Sequence, residues 1–318
     1  MTHGARHFAR AVLAFVALVL AGECFCRYVI GLGDPPLSVA DPQIEYMFKP
    51  GTYHRFGKRV SINPYHMRSD DFTPARGATN ELRVLVIGDS VANGGALVDQ
   101  TEVASELLRD KLHRLLGRPV VTGNASAGSW GPPNEAAYVR RFGLYDADFV
   151  VLVFNSGDAD DVPSGNPVVG VDPDHPGERP VSALLELVTR YGPRYLPFLA
   201  PPPSLDTPTN EVQAHAWCEA SEKWLIAEAR RRGARILVVL HYQRDEVGKP
   251  EPPGLRLLRQ WAEAAGAPVL SMDRPYADSP ARNALFWNPG PMHLTAQGHQ
   301  VMADTLARWI EDDLAGRH

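Results

Sequence analysis

The stretch LRVLVIGDS, residues 82–90, decides the fold of this 318-residue chain. Its first six residues form a mostly apolar run, rich in β-branched side chains, of the kind that makes a buried strand in a parallel sheet. Gly-Asp-Ser follows directly, so the run places a serine hydroxyl at the carboxyl end of a strand, where open α/β sheets bind ligands. The sequence therefore predicts a polar site around Ser90 at one edge of a parallel sheet.

Four more short apolar runs have the same character. They are residues 119–122, 149–154, 236–240 and 268–271. Segments with apolar residues at helical spacing separate or follow them, at residues 102–116, 211–232 and 295–314, with a shorter candidate at 182–191. Alternating strands and helices predict an α/β fold, a three-layer α/β/α sandwich around a mostly parallel five-stranded sheet.

Composition limits the class of protein and of partner. The formal net charge is −5 and there is no long basic run, so nucleic acid is not expected as a partner. The three cysteines show neither a CxxC pair nor zinc-ligand spacing, so we predict no disulfide framework, no metal site and no cofactor. Cys218 lies among apolar residues and is expected to be a small buried hydrophobe.

Residues 1–33 have the pattern of a targeting or anchoring segment. Arg6 and Arg10 precede an uninterrupted apolar stretch at residues 11–22, as in a secretory signal. Basic residues before the apolar stretch favour a cytoplasmic N-terminus. We therefore predict a single-pass inner-membrane protein whose bulk is extracytoplasmic, which in a bacterium means periplasmic.

Two alternatives to this signal-anchor remain open: a cleaved signal peptide that releases a secreted protein, and the buried N-terminal helix of a cytosolic protein. The apolar character resumes beyond Glu23 and Arg27 and lasts to Leu32, so the longer segment could just cross a bilayer. Because Glu23 and Arg27 are four residues apart, they can pair on one helix face.

The rest of the chain divides into three parts. Residues 34–80, rich in turn formers, read as a connector packed on the main domain. Residues 81–318 form the main domain, and a proline-rich insertion at about 162–209 interrupts it. The insertion is either a lid that shapes a site over the strand ends or a surface excursion without a role.

Four sequence blocks, within about residues 83–309, resemble those of the SGNH/GDSL family of serine hydrolases. The resemblance implies a flavodoxin-like sandwich, acyl-ester chemistry and Ser90 as the nucleophile. In the second block, residues 124–131, it implies a backbone N–H that helps the N–H of Ser90 to bind the oxyanion. Gly128 and Ser129 both fit that position, and we favour Gly128.

The third block departs from the family pattern. Aligning its glycine places Asp158 where the family has an asparagine that points at the oxyanion. An ionised carboxylate cannot donate a hydrogen bond and would repel an oxyanion. Asp158 is then protonated or has another task, or Asn155 takes over.

The fourth block keeps the family's histidine, His293, as the expected base, but Gly290 stands where the family has its orienting aspartate. The expected substitutes for that aspartate are a backbone carbonyl or one of three side chains: Asn288, Asp158 or Asp273. His299, farther along, is expected to be a surface or capping residue.

Together these features predict a serine esterase acting on O-acyl esters, with acetyl as the expected acyl group. Family and location suggest exported polysaccharide or cell-wall glycan as the substrate, an acylated carbohydrate, although another ester is not excluded. Trp130 and Trp287 could stack on a sugar ring or be ordinary core or rim aromatics.

Three other functions stay open. The protein could be an O-acyltransferase on the same substrates, or a degenerate module that binds glycan or assists assembly. It could also be a metal-dependent hydrolase that uses Asp89, Asp158 and His293.

Overall fold

The computed structural model describes residues 3–77, 80–192, 210–288 and 290–317. In chain order its strands are β1 Ser38–Asp41, β2 Glu45–Phe48, β3 Gly51–Arg55, β4 Lys58–Ile62, β5 Leu82–Gly88, β6 Val120–Ser126, β7 Phe149–Phe154, β8 Arg235–Leu240 and β9 Val269–Ser271. Its α-helices are α1 His3–Cys24, α2 Ser90–Asn93, α3 Ala104–Leu116, α4 Pro132–Phe142, α5 Ala183–Glu186, α6 Glu211–Arg231, α7 Pro253–Ala264, α8 Asp273–Ala277 and α9 Ala296–Leu314.

The centre of the molecule is a five-stranded parallel sheet in the order β6-β5-β7-β8-β9. Helix α3 packs on α9, and α6 packs on both α4 and α7, which gives the two helical layers of an α/β/α sandwich. The fold predicted from the sequence is confirmed. Every residue of β5 and β7 is buried, as their apolar sequences require.

Strand β6 is longer than its sequence predicts. We expect it to end at Thr122, because glycine and polar residues follow, but it continues to Ser126. The polar side chains in this extension are buried and hydrogen-bonded: Asn124 donates to the carbonyl of Ala92 at 2.8 Å, and the Ser126 hydroxyl donates to Asn124 at 2.5 Å. The extension therefore joins the sheet to the segment that follows Ser90.

Residues 34–80 contain two antiparallel hairpins, β1–β2 and β3–β4. Tyr46 and Met67 from this part of the chain belong to the same buried cluster as the central sheet. Arg68, at its end, is completely buried. This segment therefore contributes to the core of the main domain.

Helix α1 continues without a break into a π-helical turn, Phe25–Ile30. Together they make one helix, His3–Ile30, that is long and apolar enough to cross a membrane, and its apolar window is unburied. Glu23 and Arg27 form the predicted pair, with 2.8 Å between Oε1 and Nη2.

The insertion is described only in part. Its predicted short helix exists as α5 followed by a π-helical turn, Leu187–Tyr191. The prolines at positions 201–203 and the rest of 193–209 lie outside the described residues, so the predicted lid remains a prediction.

Candidate active site

A hydrogen bond joins the side chains of Ser90 and His293. Ser90 opens α2 directly after β5, and His293 stands just before α9. The Nε2 atom of His293 lies 3.0 Å from the Ser90 hydroxyl oxygen, although 203 residues separate them in sequence. Both side chains are partly exposed. The arrangement can hand the serine proton to the imidazole while leaving the hydroxyl open to a ligand.

Local sequence explains how Ser90 is presented. Asp89 caps α2, because its Oδ1 accepts the N–H of Val91 at 2.8 Å. Gly94 ends the helix with a φ of +73°, a left-handed conformation that favours glycine. A side chain there would collide with His299, since a Cβ atom on Gly94 would lie 2.9 Å from His299 Nε2.

His299 is therefore not the surface or capping residue we expect from the sequence. It is fully buried, and its Nδ1 accepts the N–H of Ala104 at 3.3 Å. Burial lowers its pKa to about 3, so the ring is neutral at physiological pH. His299 packs between α3, α9 and the turn after Ser90, and it is a structural residue.

Arg68 binds the turn that follows Ser90. Its guanidinium donates to three backbone carbonyls in the segment that follows Ser90, those of Asn93, Gly95 and Val98. Burial lowers the pKa of Arg68 to about 10, which still leaves it charged at neutral pH. A charged group without water around it needs such partners. The Ser90 turn is thus held by a residue that lies in the predicted connector.

In the third block, Asn155 connects two carboxyl groups. Its Nδ2 donates to Asp89 at 2.9 Å and to Asp158 at 3.0 Å, so both amide hydrogens are used. The Asp158 carboxyl also accepts the backbone N–H of Asn155 at 2.7 Å. In this arrangement Asn155 has no free donor left for an oxyanion beside Ser90. Of the tasks expected for Asp158, the structure supports holding the loop.

The electrostatics of this pair have a simple cause. Asp89 and Asp158 are both buried, and burial raises the pKa of each carboxyl. The pKa of Asp158 is raised further by the charge of Asp89 beside it. Two neighbouring buried carboxyls cannot both ionise easily, so the pair favours a state in which at least one carboxyl is protonated.

The remaining candidate donors to an oxyanion are backbone N–H groups. Among the described residues, the N–H groups of Ser90, Gly128 and Ser129 have no hydrogen-bond acceptor. The carbonyl of Gly128 accepts the Tyr46 hydroxyl at 2.6 Å, which fixes the peptide. The unusual backbone shape belongs to Ser129, with φ of +55°, and not to Gly128. The backbone shape therefore gives no preference for Gly128 over Ser129, and both positions remain open.

The loop that carries His293 is held through its backbone carbonyls. His241, at the end of β8, is fully buried between the Tyr276 hydroxyl and the carbonyl of Met292, each 2.9 Å away. A carbonyl only accepts, so Nε2 of His241 carries the hydrogen and Nδ1 accepts from Tyr276. Burial lowers the pKa of His241 to about 4, which keeps it in this neutral form.

Arg244 also binds backbone carbonyls of the loop that carries His293. Its backbone N–H donates to the carbonyl of Pro291 at 2.8 Å, and its guanidinium donates to the carbonyls of Trp287 and Gly290. The carbonyl of His293 in turn accepts the N–H of Trp287 at 2.9 Å. His293 is thus positioned by hydrogen bonds to the main chain of its own loop.

None of the three expected side chains orients His293. Asp273 accepts the N–H of Gly248 at 2.6 Å, Asp158 is engaged with Asn155, and Asn288 is exposed. Within the described part of the chain, no group forms a hydrogen bond with Nδ1 of His293. Partial burial without a carboxylate partner lowers the pKa of His293 below its ordinary value of 6.5.

Three other predicted positions have clear outcomes. Trp130 is buried, with its indole N–H donating to the carbonyl of Tyr46 at 3.0 Å, so it cannot stack on a sugar. Trp287 is 38% exposed and stays available. Cys218 is buried, as expected. In the described ranges, no group of three or more His, Cys, Asp or Glu side chains is arranged to hold a metal ion.

Sequence reasoning missed three residues that shape the site: Arg68, His241 and Arg244. His241 follows an apolar strand directly, so the rule that led to Ser90 also points to it. Arg68 and Arg244 carry no such signal, because a buried guanidinium that binds carbonyls looks like any other arginine in sequence.

Comparison with known proteins identifies the family of this chain. A family model for GDSL-like lipases and acylhydrolases matches residues 86–301, which include Ser90 and His293. No curated protein matches the chain.

Similar solved structures include a variant of an acetyl-xylooligosaccharide esterase from Geobacillus, 15% identical, with a TM-score of 0.45 over 74% of this chain and 94% of that one. A lipase/acylhydrolase from Enterococcus faecalis is 15% identical, with a TM-score of 0.44 over 73% of this chain and 96% of that one. A two-domain esterase active on acetylated mannans is 12% identical, with a TM-score of 0.46 over 75% of this chain and 54% of that one.

Proposed function

We propose, on the premise that this chain belongs to the GDSL-like lipase/acylhydrolase family, that it is a serine esterase with Ser90 as nucleophile and His293 as general base. One observation carries the assignment: Nε2 of His293 lies 3.0 Å from the Ser90 hydroxyl oxygen. A serine and a histidine far apart in sequence are brought to proton-transfer distance at the carboxyl end of a central strand.

In the first half of the reaction, the Ser90 oxygen attacks the ester carbonyl while Nε2 of His293 takes its proton. The backbone N–H of Ser90 and one from Gly128 or Ser129 stabilise the tetrahedral oxyanion. His293 then returns the proton to the leaving alkoxide, and the acyl group stays on Ser90. In the second half, water attacks the acyl-enzyme with His293 again as base and releases the carboxylic acid.

No carboxylate among the described residues pairs with His293, and this limits the rate we expect. In serine enzymes the acid holds the correct histidine tautomer and stabilises the imidazolium, and its loss costs about 10⁴-fold in kcat. Here His241 and Arg244 fix the loop, which supplies orientation. They are neutral or cationic, so they do not supply the negative charge. We therefore expect a genuine but slow esterase.

For the substrate, we propose O-acetyl esters on a carbohydrate polymer outside the cytoplasm. Ser90 and His293 are partly exposed, so an ester on a bulky molecule can reach them. Trp287, six residues before His293, is an exposed aromatic that can pack against a sugar ring. The span-length helix α1 supports a membrane-anchored, extracytoplasmic domain.

Hydrolysis is favoured over acyl transfer by the same exposure, because water reaches a partly exposed acyl-enzyme and competes with a second alcohol. A binding module without catalysis would not need the Ser90 hydroxyl at proton-transfer distance from an imidazole. Activity that depends on Ser90 therefore separates esterase from module, and product analysis with an added sugar acceptor separates hydrolase from transferase.

The test is p-nitrophenyl acetate hydrolysis by the full chain in detergent, beside Ser90→Ala and the control Ser61→Ala. Ser61 is a hairpin residue whose hydroxyl lies near that of Thr52 on the facing strand. We expect turnover, together with an acetyl adduct on intact protein, in the parent and in Ser61→Ala, and none in Ser90→Ala. Equal activity in parent and Ser90→Ala would refute the proposal.

A further inference from the structure

The joint between α1 and the insertion is a built contact. The Glu23 carboxylate accepts the backbone N–H groups of Ala183 and Leu184, at 3.0 and 2.9 Å, and so caps the start of α5. Arg27 pairs with the same carboxylate. These bonds tie the last full turn of α1 to the folded domain.

Apolar packing makes the joint rigid. Cys26, Leu32 and Ala183 are buried together, with Leu184 and Leu187 packed against them. The next peptide on is also fixed, because the carbonyl of Gly31 accepts the N–H of Phe56 in the β3–β4 turn. The helix therefore enters the domain as part of its structure and does not end in a loose tether.

Around this joint lies a set of exposed apolar side chains, which we call the junction surface. Its members come from the end of the N-terminal helix, from the β3–β4 turn and from the α5 region: Phe25, Tyr28, Val29, Phe56, Val181, Leu185 and Val188. Tyr28 is 79% exposed and Val181 is 93% exposed, so no described part of the chain covers them. Water-exposed apolar side chains from three separate segments beside one helix end indicate a binding surface.

The length of α1 indicates what covers the junction surface. The stretch free of charge runs from Ala11 to Gly22, twelve residues, and at about 1.5 Å per residue it spans about 18 Å. A bilayer core is about 30 Å thick, which needs about 20 helical residues. Counting about 20 residues from Ala11 reaches Ile30, and this brings Tyr28 and Val29 to the membrane surface.

Charges at the joint are already neutralised. Besides Glu23 with Arg27, the buried Arg55 pairs with Glu186 at 2.7 Å, and Arg179 pairs with Asp34 at 2.8 Å. Paired charges lower the cost of placing this part of the domain at a lipid surface. They also leave little net charge there to attract anionic lipid headgroups.

We propose that the junction surface lies in the outer interfacial layer of the membrane, against neutral lipid, so that the domain has one fixed orientation on the bilayer. This rests on the proposed role of α1 as an uncleaved membrane span. Tyr28 acts as the amphipathic aromatic side chain that membrane proteins place at this depth, and Phe25 and Phe56 add apolar contact area. Val181, Leu185 and Val188 extend the contact sideways from the helix.

Cysteine accessibility tests the proposal on the full chain in phosphatidylcholine vesicles. In a Cys24→Ser background, Val181→Cys and Tyr28→Cys are labelled with a membrane-impermeant maleimide, beside Leu115→Cys on α3 as an exposed control. We expect labelling of positions 181 and 28 to be at least about tenfold slower than at position 115. Resistance of the chain to alkaline carbonate extraction reports separately whether α1 is inserted.

A lengthened helix provides the decisive comparison. Seven apolar residues inserted after Ala17 add two turns, about 10 Å, and nearly preserve the helix face. The span is then long enough without the joint, so fast labelling at positions 181 and 28 should return. Slow labelling that persists in the lengthened helix means that protein covers the surface, and overturns the proposal. Equal labelling at all three positions in an inserted chain also overturns it, whereas an extractable chain refutes the membrane span itself.

Discussion

The two loops that make the site are held in different ways. The turn after Ser90 sits on a buried polar network, in which Arg68 and Asn124 bind its carbonyls and His299 fills the space beside Gly94. The loop before His293 lies nearer the surface and is clamped at its carbonyls by His241 and Arg244. The serine at the strand end is thus positioned by groups in the core, whereas the histidine on the loop is positioned by side chains that bind the carbonyls of that loop.

This difference between the two loops predicts that substitutions around the Ser90 turn first lower the free energy of unfolding. Arg68→Met removes the donors for three buried carbonyls, and we expect the free energy of unfolding to fall by about 3 kcal/mol. Denaturant unfolding of the full chain in detergent measures it. Arg114→Met, an exposed residue at the end of α3, is the matched control. A loss below about 1 kcal/mol, within the usual range for a single hydrogen bond, would show that the network is dispensable.

Substitutions of the residues that hold the His293 loop should first lower kcat. His241→Leu removes the donor to Met292, and a small shift of the base should lower kcat by about 10- to 100-fold, with little change in KM. His241→Gln can donate to the same carbonyl and should recover part of the loss. Tyr276→Phe keeps the His241–Met292 bond and is the mild control.

If His241→Gln and His241→Leu lose equal activity while both remain folded, donation to Met292 does not position His293. If KM rises and kcat is unchanged, the residue acts on substrate binding instead.

The pH profile sharpens the view that His293 works without a carboxylate. Burial lowers its pKa below 6.5, and an acid partner would raise it. Since the base must be neutral, kcat/KM should fall about tenfold per pH unit only below that lowered pKa. A pH–rate series with p-nitrophenyl acetate measures the acid limb. A midpoint above 6.5 would mean that an anion pairs with His293 after all.

The smallest expected effect concerns Glu222, a buried carboxyl group on α6. Burial raises the pKa of Glu222 to about 9 from 4.5, so folding favours its protonated form. Protonated Glu222 stabilises the folded state fully below pH 4.5. This stabilisation is lost as pH rises toward 9, because the unfolded chain releases the Glu222 proton first. Buried histidines oppose this only below about pH 6.5, where unfolded histidine gains a proton.

We therefore expect the parent to lose at least about 1 kcal/mol between pH 7 and pH 9, or roughly 2–4 °C in Tm. Glu222→Gln should flatten that slope, and Glu211→Gln, at an exposed position in the first turn of α6, should leave it unchanged. Parallel curves for parent and Glu222→Gln would show that Glu222 is ionised in the folded protein.

Several features of this protein follow from local sequence pattern alone. Short continuous apolar runs indicated the sheet, apolar residues at helical spacing indicated α3, α6 and α9, and the run at residues 82–87 placed Ser90 at a strand end. The Glu23–Arg27 pair followed from helical spacing alone.

The groups that hold Ser90 and His293 in place become visible only in the tertiary structure. Asn155 turned out to bind two carboxyls, His299 to be buried, and no described side chain to orient His293. Arg68 proved to support a turn more than twenty residues away. Hydrogen bonds of this kind join positions distant in sequence through backbone carbonyls, which every residue has, so no sequence pattern records them.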